Sequence, residues 1–297
     1  MQGRQRAALC YCPTMSRWRR ILVHPLTRIV IGAAVFAGPQ ALVYGLFLPH
    51  GMEPLPIVAS GFSALCAVIA LWVVGVRIER RGADELVVPP ARGLVADALR
   101  GFALGAPLFS AVVVLLALLG YAHIATTPSP PVAQVALSLL VFLFVGIAEE
   151  IALRGLFFRI FEEWLGSWAA LAVSALIFGA LHLGNPHASL WAGLAIALEA
   201  GLLLAALYAL TRSLVFVVGV HWAWNFFEGP IFGTAVSGHK EPSLLTTLVA
   251  GPDTWTGGEF GPEASVVAVL VCGVVTIVAL VLAVRAGRIR GRGGRPG

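Results

Sequence analysis

The chain has 297 residues, of which 59% are hydrophobic and only 12% are charged, and its mean hydropathy is +0.89. A soluble domain is about half apolar and about a quarter charged. The polar surface is therefore too small for a water-soluble globule, which excludes an extracellular soluble enzyme, a nucleic-acid regulator and a disordered chain. The composition indicates a protein whose solvent is the lipid bilayer.

Membrane-spanning helices need about 20 predominantly apolar residues. Eight stretches meet this requirement, and they predict an all-α, polytopic integral membrane helical bundle with a single transmembrane domain over residues 29–284. These stretches are Ile29–Leu48, Ile57–Val76, Gly101–Ile124, Val132–Phe161, Trp168–His182, Ala192–Leu210, Leu214–Phe232 and Ala264–Val284. The first is too long, and its basic flank too extended, for a cleavable signal peptide, and Met15 is an alternative start to Met1.

The basic residues cluster on one side of this predicted topology. Of the 20, the 19 arginines fall in the N-terminal segment, in alternate connections and in the C-terminal tail, whereas Lys240 lies opposite. Excess positive charge marks the cytoplasmic side, so we expect two cytoplasmic termini: a basic segment, residues 1–28, and a Gly/Arg-rich tail, residues 285–297. The charge indicates orientation and contact with anionic lipid, not nucleic acid. Cys10 and Cys12 are read as an incidental pair, and no disulfide framework is indicated.

A few polar residues lie inside the predicted spans, where they are costly and usually functional. They are Glu149, Glu150 and Arg154 in the fourth span, His182 at the end of the fifth, and His221 and Asn225 in the seventh. The turn near Gly166 comes 17 residues after Glu149 and 16 residues before His182, so these two positions come level in an antiparallel hairpin. We therefore expect the three motifs to meet at a similar depth.

The spacing gives each motif a face. Glu150 and Arg154 are four residues apart and can pair, whereas Glu149 is displaced by about 100° and stays free for chemistry. His221 and Asn225 are also four apart and project into one site. Such a set suits hydrolysis. The free carboxylate takes a proton from water, one histidine assists or binds metal, and the other histidine with the asparagine stabilises the oxyanion.

The same residues can also be interpreted as structural rather than catalytic. A lone intramembrane histidine is more often a hydrogen-bonded packing residue, and a single Glu–Arg pair is as often structural as catalytic. Glu199 has no partner three or four residues away, so it belongs to a gate or substrate path, or is a carboxyl bonded between helices. Glu228 is expected at the membrane interface, and Trp222 and Trp224 beside the site. The polar loop 233–263 is expected outside the membrane, where it could cap the bundle.

The ordered motifs resemble those of the CAAX prenyl protease and bacteriocin-processing (CPBP, Abi-like) family of intramembrane proteases. The family's EExxxR is present as Glu149–Arg154, its FxxxH as Phe178–His182, and its histidine followed by asparagine four residues later as His221–Asn225. The resemblance covers residues 132–238. Each motif is weak alone, and the ordered set is specific.

This resemblance implies an intramembrane endopeptidase with the catalytic residues Glu149, Glu150, Arg154, His182, His221 and Asn225. By resemblance, Glu149 activates water with His182, His221 and Asn225 hold the oxyanion, and Glu150 with Arg154 organises the site. Family members are described both as metal-dependent and as glutamate-type proteases. Zinc (Zn2+) held by Glu149, His182 and His221 therefore stays an alternative, although the chain lacks HExxH.

Two other classes of function remain open. One is a non-catalytic bacteriocin-immunity or partner-binding membrane protein on the same scaffold, and the other is a proton-coupled transporter, which the absence of an internal repeat disfavours. For the protease we expect a membrane-associated protein or peptide substrate, cleaved within or beside the cytoplasmic half of the bilayer. One lysine against 19 arginines indicates a GC-rich bacterium, hence a multi-pass protein of the bacterial plasma membrane. Since bacteria generally lack prenylated CAAX proteins, a prenylated substrate is not assumed.

Overall fold

The computed structural model describes residues 16–50, 54–82, 85–86 and 91–292, except for the side chains of residues 91 and 92. The predictions for residues 1–15, with Cys10, Cys12 and the choice of start, lie outside this part of the chain. So do the last five residues of the predicted tail.

Within these ranges the chain forms twelve α-helices and one two-stranded sheet. The helices are α1 (Arg17–Leu22), α2 (Pro25–Phe47), α3 (Pro56–Leu71), α4 (Ala91–Leu118), α5 (Val132–Glu150), α6 (Arg159–Leu165), α7 (Ser167–Leu181), α8 (Leu190–Ile196), α9 (Leu202–Thr211), α10 (Leu214–Phe226), α11 (Asp253–Thr256) and α12 (Val266–Arg285). The strands are β1 (Ala122–Thr126) and β2 (Leu245–Val249), which run antiparallel.

Seven helical stretches in the described ranges are long and apolar enough to cross a membrane. They are Pro25–His50, Pro56–Ile78, Gly93–Leu118, Val132–Leu165, Ser167–Gly184, Leu190–Thr211 and Val266–Arg285. The predicted all-α polytopic bundle is thus confirmed, and the protein is a multi-pass integral membrane protein. The seventh predicted span, Leu214–Phe232, is helical as α10 followed by a π-helical turn, but His221, Asn225 and Glu228 make it too polar to qualify on composition.

The sheet was not predicted, and it shortens the third span. The stretch Gly101–Ile124 was expected to be helical, but α4 ends at Leu118 and β1 begins at Ala122. Gly120 has φ +81°, a left-handed conformation that commonly follows the last turn of a helix. Apolar composition alone did not show this end, because a short apolar run does not by itself distinguish a strand from the last turn of a helix.

Lipid-facing and protein-facing surfaces are clearly separated. Large apolar side chains remain exposed on the outer helices, as with Leu118, which is 78% exposed, and with Leu270 and Ile277 along α12. The central helices α9 and α10 bury residues such as Ala205 and Val217 completely. An apolar exterior of this kind is what a bilayer solvates, while every helix satisfies its own backbone hydrogen bonds.

Helix α10 packs against α4 with almost no space between the two backbones. A Cβ added to Gly105 would overlap the carbonyl oxygen of Val220, and one added to Gly219 would overlap the backbone of Ala98. Small residues at such crossings let membrane helices approach closely. The contact fixes the rotation of α10 and therefore the direction of His221, which it carries.

The connections divide the bundle into two ends. The arginine end contains the turns at Gly166 and Arg212, residues 78–82 and residues 286–292. The loop end contains the sheet, residues 182–189 and residues 232–265. These two names are used below.

Buried ion pairs hold the arginine end together. Glu79 accepts hydrogen bonds from Arg159 at 2.5 Å and Arg28 at 2.9 Å, and Arg81 lies 2.9 Å away. Burial raises the pKa of the Glu79 carboxyl, but the three guanidiniums outweigh it, so this pKa lies below its ordinary value. The network thus joins the first turns of α2 and α6 to the end of the stretch Pro56–Ile78.

Candidate active site

Two adjacent carboxyls at the end of α5 have different surroundings. Glu150 is completely buried, and its Oε1 accepts hydrogen bonds from Arg154 Nη1 at 2.7 Å and from His221 Nδ1 at 2.9 Å. The side chain of Glu149 is 32% exposed, and its Oε2 lies 3.9 Å from Nε2 of His221. The pairing of Glu150 with Arg154 and the free position of Glu149 are both as the spacing predicted.

Arg154 joins two parts of the bundle. It lies in the π-helical turn Ile151–Phe158 that continues α5, and its Nη2 donates to the carbonyl oxygens of Ala200 at 3.2 Å and Gly201 at 2.9 Å. These acceptors lie at the end of a second π-helical turn, where backbone carbonyls depart from the regular α-helical pattern. The guanidinium thus fixes Glu150 relative to α9.

His182 directly follows α7, and its ring is oriented by Phe178, the first residue of the same FxxxH motif. Its Nδ1 lies 2.8 Å from the carbonyl oxygen of Phe178, which can only accept, so Nδ1 carries the hydrogen and neutral Nε2 is an acceptor. The ring of Phe178 lies 4.7 Å from the His182 ring and 6.0 Å from the His221 ring, centroid to centroid. This phenylalanine therefore sets the spacing between the two imidazoles.

One cavity of about 350 Å³ collects the groups. Four of the six predicted site residues line it: Glu149, His182, His221 and Asn225. The other two, Glu150 and Arg154, are absent from its lining and reach it through the imidazole of His221. The three motifs, which lie at residues 149–154, 178–182 and 221–225, meet in one place.

Several lining residues were not identified from the sequence as site residues. The segment 232–265 contributes Ser237, His239, Glu241 and Glu263, so the loop expected to cap the bundle does lie against the cavity. Burial raises the pKa of Glu263, while the imidazole of His182 and hydrogen bonds from Ser237 partly oppose this increase. No spacing rule could have found these residues, because a loop has no fixed period.

Two expectations for individual side chains need correction. Glu228 was placed at the membrane interface, but it is completely buried, because the π-helical turn Phe227–Ile231 lies beneath the segment that folds over the cavity. Trp224 lines the cavity as expected, whereas Trp222 points elsewhere and donates from Nε1 to the carbonyl oxygen of Leu139 at 2.8 Å.

The cavity lining also bears on the predicted depth of the site. Its lining includes Asn185, Ser237 and Glu263, all from connections of the loop end. The positive-inside rule assigns the opposite, arginine end to the cytoplasm. The predicted orientation and the expected site in the cytoplasmic half therefore do not agree with each other, because that expectation counted residues along one hairpin and ignored the covering loop.

The candidate metal ligands do not form a metal site in this arrangement. Nowhere in the described ranges do three His, Cys, Asp or Glu side chains come together in a group that could hold a metal ion. Glu149 and His221 approach each other to 3.9 Å, but His182 does not complete a group with them. Zinc dependence therefore stays a prediction.

Fold and site together define a multi-pass membrane protein in which glutamate and histidine side chains line one internal cavity. Residues 131–227 match the model of a family described as Rce1-like, type II CAAX prenyl endopeptidase. This stretch contains all three motifs, so the resemblance to the CPBP intramembrane proteases is confirmed. At the level of the family, the match supports an intramembrane endopeptidase. Among curated proteins and among solved structures, no match is found.

Proposed function

We propose that the protein hydrolyses a peptide bond of a membrane-associated protein or peptide, using water activated by Glu149 and His182. The observation that carries the proposal is the cavity itself, in which an accessible carboxylate meets two imidazoles held in different ways. An apolar bundle has no structural need to bring these costly groups together. The family match supports the same reaction class.

The first step forms the nucleophile. Glu149 takes a proton from a water molecule in the cavity, and the resulting hydroxide attacks the carbonyl carbon of the scissile bond. His182 supports this transfer because its Nε2 is free to accept, its Nδ1–H being held by Phe178. The proton on Glu149 then passes to the leaving amine, so the carboxylate is restored.

The second step stabilises the oxyanion. A carboxylate only accepts, so Nδ1 of His221 donates to Glu150 and Nε2 is left on the side of Glu149. When Nε2 is protonated as well, an imidazolium between two carboxylates donates to the oxyanion. Asn225, one turn further along α10, supplies an amide N–H from the same cavity wall. Glu150 and Arg154 act as positioning residues.

The position of the cavity constrains where cleavage occurs. With the arginine end in the cytoplasm, the loop end faces outward, and we place the reaction in the outer half of a bacterial plasma membrane. A substrate then reaches the site from the bilayer or from the exterior. The non-catalytic scaffold and the transporter remain the alternatives.

The test is proteolysis by the full-length protein in liposomes, with a panel of single-span peptides as probes. Glu149→Gln and His182→Ala should each lower kcat/KM by roughly 10²- to 10⁴-fold, the usual contribution of a general base. Glu259→Gln is the matched control, since its side chain is 82% exposed at the loop end and pairs only with His187. Equal cleavage by all four proteins would contradict the assignment of this site.

Metal dependence is tested in the same assay. We expect full activity after exhaustive chelation, because the described ligands do not group around a metal position. Loss of activity that zinc alone restores would establish a metal enzyme and would require the ligands to rearrange on binding.

A further inference from the structure

A second group of carboxyls borders the cavity at the loop end. Glu199 and Glu263 both line it, and they are 1% and 3% exposed. Glu228 is buried next to them and acts electrostatically on the same group. The cavity lining contains no lysine or arginine among the described residues. This wall therefore concentrates buried acidic groups without a lysine or arginine partner among the described residues.

Glu199 is the least satisfied member of the group. Its Oε2 has only the thiol of Cys272, at 3.7 Å, and its buried Oε1 has no hydrogen-bond partner. Buried carboxyl oxygens are normally hydrogen-bonded, because an unpaired one loses water and gains nothing in return. The side chain lines a cavity that has room for a ligand group. The free oxygen is thus available to a donor that enters from the cavity.

Glu263 lines the same cavity, and hydrogen bonds fix the orientation of its carboxyl. The backbone N–H and the hydroxyl of Ser237 both donate to its Oε1 at 2.7 Å, which fixes the carboxyl, and the carboxyl of Glu228 lies within hydrogen-bond reach of it. The imidazole of His182 acts on this carboxyl electrostatically, so the group lies beside the reacting pair. A substrate side chain near the scissile bond would meet both Glu199 and Glu263.

We propose that Glu199 and Glu263 form an acidic subsite that binds a lysine or arginine side chain of the peptide substrate. An ammonium brings three N–H donors and a guanidinium five, enough to satisfy both carboxyls. The inference rests on the proposed function and adds the substrate class: a peptide with a basic residue beside the cleaved bond. A transporter that used these carboxyls as a proton relay would show no such preference.

The test compares pairs of single-span peptides that differ only by Lys or Gln at one position near the cleavage site. The full-length protein is reconstituted in phosphatidylcholine liposomes, whose headgroups carry no net charge. At one position the wild type should prefer the Lys peptide by roughly 10- to 100-fold in kcat/KM, the range of a charged hydrogen bond. The variants Glu199→Gln and Glu263→Gln should reduce this ratio to near one, and the control Glu259→Gln should keep it.

The ratio of two rates on one preparation does not depend on how much protein is folded. If a variant fails to fold, acetylating the peptide lysine in the wild-type assay removes the same charge and should abolish the preference. Equal cleavage of both members of every pair by the wild type would overturn the subsite and leave the proposed function intact.

Absence of any cleavage would instead contradict the proposed function. The subsite is then tested by binding of the same peptides to the Glu149→Gln protein, followed by fluorescence. At least about tenfold tighter binding of the Lys peptide is expected from one charged hydrogen bond. Equal affinities would overturn the subsite.

Discussion

The two ends of the bundle treat buried carboxyls in opposite ways. At the arginine end, Glu79 lies among three guanidiniums and Glu162 accepts from Arg212 at 2.6 and 2.9 Å. At the loop end, Glu199 and Glu228 are equally buried, and neither has a lysine or arginine partner among the described residues: Glu199 contacts the thiol of Cys272, and Glu228 contacts the carboxyl of Glu263. A buried charge needs a partner. The carboxylates of the arginine end are compensated by arginines of the protein, whereas those of the loop end need a bound proton or a ligand. The carboxyls of the arginine end thus stabilise the fold, and those of the loop end are the ones left for a functional role.

Glu150 stands between these two situations. Like Glu79 it is buried and paired with an arginine, but it also holds an imidazole of the cavity. The pair with Arg154 therefore connects the stable framework to the reacting groups. Substitution of Glu150 therefore tests both its role in stability and its role in orienting His221.

The largest effect should come from removing a paired carboxylate. Glu79→Gln removes the fully buried carboxylate between Arg28 and Arg159, which then share Glu163 as their counter-charge, and should destabilise the protein by about 3–5 kcal/mol. Glu199→Gln removes a carboxyl that has no ionic partner and should change stability by less than about 1 kcal/mol. The measurement is the free energy of unfolding in mixed micelles titrated with dodecyl sulfate. Similar losses for both variants would remove the distinction between the two ends.

The next effect concerns Glu150. Glu150→Gln keeps the shape but loses the charge that holds Arg154 and Nδ1 of His221. Since it orients a group that acts in the transition state, kcat should fall roughly 10- to 100-fold with KM nearly unchanged. Steady-state kinetics check this, with Glu149→Gln as the reference for a lost general base. An unchanged kcat would make the pair purely structural.

A substitution without charge tests whether helix packing contributes separately. Gly105→Ala places a methyl group against Val220 and Ala223 of α10 and should cost about 1–3 kcal/mol. Gly273→Ala on α12 is the matched control, because nothing lies within 4 Å of its added Cβ. It should be neutral or stabilising by up to about 1 kcal/mol through helix propensity. Thermal unfolding of both proteins provides the comparison.

The smallest effect is a pH dependence with opposite sign at the two ends. The pKa of Glu79 is lowered by its arginines, so its contribution to stability is present above the ordinary glutamate pKa and is lost as the pH falls through the folded value. The pKa of Glu263 is raised by burial, so its contribution is present below the ordinary value and is lost as the pH rises through the folded one. The free energy of unfolding is measured from pH 3 to pH 8. In Glu79→Gln it should no longer fall toward acid pH, where an unfolded glutamate titrates with a pKa of about 4.3. In Glu263→Gln it should no longer fall as the pH rises. Unchanged profiles would contradict the two directions.

Much of the fold could be predicted because the bilayer imposes a simple length rule. Seven predicted spans correspond to membrane-length helices, and the one with mixed composition, Leu214–Phe232, is the one that carries His221 and Asn225. The rule failed where composition and structure differ, as at β1, and where a polar residue is hidden by a distant segment, as at Glu228.

The sequence by itself determined the membrane class, the approximate spans and the pairs that depend on the helical period, such as Glu150 with Arg154. These follow from local rules, since length and a spacing of four residues act within one helix. Only the tertiary structure decided that His221 meets Glu150, that Glu199 and Glu263 line one cavity, and that residues of the loop end border this cavity. Such contacts depend on helix rotation, crossing and loop placement, which are set by packing between segments far apart in the chain.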